Sequence, residues 1–78
     1  MNEMDLERDR IRIEGNLRLI EENRQKRDQL QAEFDEIKTR HGGISQEEQA
    51  RLREIERLIR QLDAETARLK QENQSITP

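Results

Sequence analysis

The apolar positions of this 78-residue chain match one another across its middle. Ile37 with Leu52, Phe34 with Ile55, Leu30 with Ile59, Ile20 with Leu69 and Ile13 with Ile76 all have residue numbers adding to 89. The same rule sets polar against polar, Asn16 with Asn73 and Asn23 with Thr66, and places Arg27 opposite Leu62. A constant sum is the signature of two helices running antiparallel, and Gly42-Gly43 lies near its midpoint. Within each half the apolar residues recur at alternating spacings of three and four, the heptad pattern of a shared helical stripe. The predicted fold is all-α: an antiparallel two-helix coiled-coil hairpin, expected to dimerise into a helical bundle. Its seam comprises Ile13, Ile20, Leu30, Phe34, Ile37, Leu52, Ile55, Ile59, Leu62, Leu69 and Ile76.

The pattern predicts one domain over residues 1–78, with a helix from about 3 to 41, a turn at 42–45 and a helix from about 46 to 74. Gly42 and Gly43 suit a left-handed helix stop, where a Cβ is penalised. Ser45 followed by Glu48 has the spacing of a capping box, in which each residue satisfies a free backbone N–H near the helix start. His41 is expected to face Glu48 beside the turn, where its imidazole could lend a pH response. Flanking charges agree with the same register, pairing Glu33 with Arg51, Arg12 with Glu72 and Arg24 with Asp63. Along the helices, Glu14–Arg18, Glu22–Lys26, Glu36–Arg40, Glu47–Arg51 and Glu56–Arg60 have the favourable acid-first spacing.

The polar layers Asn16, Asn23, Thr66 and Asn73 admit two readings. They are tolerated, partly wet layers, or they forbid register slips and parallel pairing at a cost in stability. Residues 1–12 overhang the end of the second helix and carry Met4, Leu6 and Ile11 without a partner in the same hairpin. Met4, Ile11, Gly15 and Leu19 align at helical spacing, and Gly15 weakens its helix by roughly 1 kcal/mol relative to alanine. Leu17 and Leu58 widen the apolar face beyond a strict two-helix stripe. Met4, Leu6, Ile11, Gly15, Leu17 and Leu19 are therefore the expected protein-binding surface.

Composition narrows the function classes. Charged residues make up 42% of the chain and apolar ones 29%, too little for a globular core but enough for a helical seam. The net charge is −3, and acids and bases interleave throughout, so the basic face of a nucleic-acid binder is missing. Cysteine is absent, and one histidine among scattered carboxylates is a poor metal donor set. Two helices are not expected to enclose a ligand-sized concavity, nor to raise a carboxylate pKa for acid catalysis. No apolar run reaches the ~20 residues that span a bilayer.

The expectation is thus a cytoplasmic, non-enzymatic interaction module with no cofactor. It would serve as adaptor, small chaperone, scaffold component or inhibitor, partnered by a second copy or a larger protein. Two alternatives remain: a spacer or dimerisation segment of a larger assembly, and a regulator that inserts its turn into a nucleic-acid enzyme. The rod is similar, in architecture alone, to the hairpins of Gre-type transcript-cleavage factors and the arm of seryl-tRNA synthetases. The tip Lys38-Thr39-Arg40-His41-Gly42-Gly43 lacks the acidic pair that the Gre-type likeness implies.

Overall fold

A computed structural model describes residues 3–40 and 42–76. Two helices, α1 (Glu3–Lys38) and α2 (Gln46–Ile76), pack against each other as a hairpin 64 × 15 × 14 Å in extent. The sum rule is written into the side-chain hydrogen bonds. Asn16 Nδ2 donates to Asn73 Oδ1 at 2.8 Å, and Asn23 Nδ2 donates to Thr66 Oγ1 at 3.4 Å. Asn73 Nδ2 also reaches the Ile13 carbonyl at 3.5 Å.

The turn forms as its residues dictate, with one shift in boundary. α1 stops at Lys38, not near His41. Thr39 N–H still donates to the Asp35 carbonyl, but Arg40 N–H drops back to Ile37 and the Thr39 hydroxyl takes the Glu36 carbonyl. These bonds tighten and close the last turn. Gly42 and Gly43 follow at φ +102° and +95°, where a side chain would be strained. The capping box is reciprocal: Ser45 N–H donates to Glu48 Oε1 at 3.0 Å, and Glu48 N–H donates to Ser45 Oγ at 3.1 Å. α2 continues to Ile76, two residues past the expected end. His41 and its expected contact with Glu48 lie outside the described residues; Glu48 is engaged by Ser45 and Arg40.

Burial is deepest near the turn. Ile37, Leu52 and Ile55 form the core, with Leu30, Phe34, Ile44 and Ile59 packed against them. Ile44 was not among the expected seam residues. It sits immediately before the N-cap, a position where an apolar residue commonly fixes the entry of the chain, and that position was its available signal. Away from the turn, Leu69, Asn16 and Asn23 are buried. Ile13, Ile20, Leu62 and Ile76 are only half-buried, because one neighbouring helix covers one side of each.

Candidate interaction surface

The six residues expected to bind protein are all exposed and on α1, but they do not share a face. Met4, Ile11, Leu6, Leu17 and Leu19 are 70%, 63%, 49%, 54% and 41% exposed. At about 100° per residue, Met4, Ile11, Gly15 and Leu19 fall in a stripe about 80° wide, while Leu6 and Leu17 lie roughly 160° around the helix. The apolar residues of α1 are spread around its circumference, whereas those of α2 gather on one side. A Cβ on Gly15 would meet nothing within 4 Å, so packing within the hairpin does not demand glycine there.

The overhang is shorter than its numbering suggests, since Arg12 is ion-paired with Glu72. Arg51 clamps the other end of the same flank, donating to Glu33 through Nε and, at 3.0 Å, through Nη2. The expected Arg24–Asp63 pair is replaced. Arg27, half-buried in the seam opposite Leu62, turns its head outward and donates from Nε to Asp63 at 2.8 Å. Arg24 remains on its own helix with Glu21 and Asp28. Of the five acid-first pairs along the helices, Glu36–Arg40 closes, at 3.9 Å. Arg51 bonds Glu33 and Glu54, not Glu47.

Between the two clamps the flank opens into a groove. Leu30, Leu58 and Leu62 floor it, and Lys26, Glu33, Arg51 and Glu65 rim it. Its volume is about 470 Å³, within the size range of ligand pockets, which corrects the expectation of no such concavity. It is a trough between two rods. A smaller hollow of about 290 Å³ lies near Phe34 and Ile59, where Lys38 Nζ sits 5.1 Å from the ring centroid.

The titrating groups with shifted pKa belong to the clamps and caps. Arg51 holds the Glu33 carboxyl below its ordinary range by hydrogen bonding, and Glu33 in turn raises the Arg51 guanidinium. Arg24 lowers Glu21 in the same way. Glu48 is lowered chiefly by the Ser45 backbone N–H, then by the Ser45 hydroxyl and Arg40. Among the described residues, no group of three or more His, Cys, Asp or Glu is placed to hold a metal ion, and no helix is long and apolar enough to cross a membrane. No protein-family model, curated protein or solved structure matches the chain.

Proposed function

We propose that this protein is a non-enzymatic interaction module that binds a helical partner through the N-terminal half of α1. The observation carrying the reading is the set of large apolar side chains left in solvent there, Met4 and Ile11 foremost. Single exposed apolar residues are ordinary, but Met4, Ile11 and Leu19 share one stripe with a glycine that the hairpin's own packing does not demand. Helix-on-helix burial needs that combination, an apolar stripe with a point of close approach. The shifted carboxyls support a role without acid catalysis, since they are pushed down, away from the range of a general acid. The tip-acting alternative has less beneath it, because Arg40 is already engaged by Glu48 and Glu36.

Affinity capture with the tagged protein tests the reading. A stoichiometric partner should be retained by wild type and lost with Ile11→Glu, while circular dichroism shows unchanged helicity. A partner retained by Ile11→Glu but lost when residues 39–43 are replaced would transfer the function to the tip.

A further inference from the structure

Acids and bases interleave along the chain, but around the rod they separate. At about 100° per residue, Arg53, Arg57, Arg60 and Arg68 fall in a stripe about 80° wide on the side of α2 that faces away from the seam. All four are exposed, and among the described residues none is held by a carboxylate. Of the two acids that border the stripe, Glu54 turns to Arg51, and Glu56 pairs with neither Arg53 nor Arg60. The opposite edge of the hairpin is acidic. Glu21, Asp28 and Glu36 fall in an equally narrow stripe on the outward side of α1. Glu21 and Asp28 share Arg24, and Glu36 reaches Arg40, but each keeps more than half of its side chain in solvent.

The two edges are in register. Arg53 with Glu36 and Arg68 with Glu21 have residue numbers adding to 89, and Arg60 with Asp28 to 88, so each arginine stands level with an acid. Within one hairpin these pairs point away from each other across the width of the rod and cannot meet. A second hairpin set beside the first, displaced sideways in the plane of its helices with no rotation and no slide, brings all three together, α2 of one against α1 of the next. One displacement serves every pair, because the levels are those already fixed by Asn16–Asn73 and Asn23–Thr66. Arg57 comes level with Ala32, between Asp28 and Glu36, and Ala64 with Gln25. Arg18, the base on the acidic edge, meets Gln71. The net charge of −3 opposes crowding of copies, but the charges that face each other in this contact are opposite.

From this match we infer that the arginine face of α2 docks on the acidic face of α1 of a second copy, so that hairpins associate side by side. A contact between two different faces leaves one of each free, so the association continues as a row and does not close as a pair. Exposed ion pairs are individually weak and are screened by salt, so the row is reversible and belongs to low ionic strength. Met4 and Ile11 lie beyond the level at which the neighbouring α2 ends, at Ile76, and stay uncovered. The contact is therefore additional to the docking stripe proposed above and uses other side chains.

At about 0.01 M ionic strength, where charges act over about 30 Å, sedimentation equilibrium should find a mass that climbs with concentration past two chains; at about 1 M, where they act over about 3 Å, it should return to one chain. Arg60→Glu should abolish the growth at low salt. Arg60→Glu with Asp28→Lys should restore it, whereas Arg60→Glu with Glu7→Lys, which returns the same net charge away from the contact, should not. Position is read by cysteines placed in a chain that has none. A mixture of Gln25→Cys and Ala64→Cys should form a disulfide between copies under mild oxidation, and neither variant alone should. A wild type that stays monomeric at low salt overturns the proposal, as does growth untouched by Arg60→Glu, or Ala64→Cys that cross-links to itself as readily as to Gln25→Cys. A monomeric wild type retained on duplex DNA through Arg60 would assign the arginine face to a polyanion instead. Loss of a heterologous partner with Ile11→Glu is decided separately, so either proposal can fail while the other stands.

Discussion

Asn16 and Asn73 join the two helices inside the seam, amide to amide at 2.8 Å, and Asn16 is 8% exposed. The layer is buried and hydrogen-bonded, so removing one member and removing both have opposite consequences. Asn16→Leu sets an apolar side chain against the Asn73 amide and should cost about 1–3 kcal/mol. Replacing Asn16 and Asn73 together by Leu removes the desolvation penalty on both sides and should raise the Tm above wild type. If the layer also selects register, the double variant will show additional oligomers by sedimentation velocity. An unchanged oligomer distribution would reduce the asparagines to a tolerated polar layer.

The capping box gives a prediction with a pH signature. Ser45→Ala should cost about 1 kcal/mol, a fall in Tm of about 4–8 °C for a chain of this size. Glu48 contributes with a sign fixed by its lowered pKa. A carboxyl depressed in the folded state stabilises it above the unfolded-state value of about 4.3. That contribution fades as the pH falls through the folded-state value. Melting of wild type and Glu48→Ala, followed by circular dichroism, should therefore show a Tm gap that is constant near neutrality and narrows below about pH 4. A gap that widened with acid would mean that the carboxylate is not the stabilising form.

Arg27 and Asp63 form the cross-helix pair that Arg24 was expected to make. Both side chains are roughly half exposed, so solvent screens the pair and its coupling should stay below about 1 kcal/mol. A double-mutant cycle on Arg27→Ala and Asp63→Ala should return that small favourable coupling, and it should shrink in high salt. The same cycle on Arg24→Ala and Asp63→Ala should return none. Coupling to Arg24 equal to that of Arg27 would mean that the two arginines exchange on Asp63 in solution.

Register, handed over by a sum of residue numbers, was the most legible property of the chain. Each layer reports it independently, and Asn16–Asn73 and Asn23–Thr66 repeat in hydrogen bonds what Phe34 and Ile55 state in apolar contact. Which arginine takes Asp63 was not legible, because Arg24 and Arg27 both reach that side and the choice depends on competition from Glu21 and Asp28. The end of α1 was misread for a local reason: the Thr39 hydroxyl and the Arg40 N–H close the final turn before the glycines are reached. The stripe of Met4, Ile11, Gly15 and Leu19 was legible from residue spacing alone, and the same 100° per residue places Leu6 and Leu17 on another side of α1. How far each of these side chains stands in solvent was not legible, because that depends on where α2 lies.

Depth of burial, graded from the turn toward the open end, yields the last prediction. Ile55 is 0% exposed within the tip cluster, whereas Ile13 is half-buried beside the polar Asn16–Asn73 layer. Ile55→Ala should cost about 2–5 kcal/mol, the range for a fully buried aliphatic side chain that leaves a cavity. A chain this small folds with little margin, so that variant should lose most of its cooperative melting. Ile13→Ala should cost distinctly less, because the site already opens to water and can relax. Amide exchange should follow the same gradient, slow around Ile37, Leu52 and Ile55 and fast near Ile13, since local opening draws on the buried contacts that hold each segment. Equal costs at Ile55 and Ile13, with equal protection, would mean that the open end is covered by more than α2, and a second copy lying across it would be the first explanation to test.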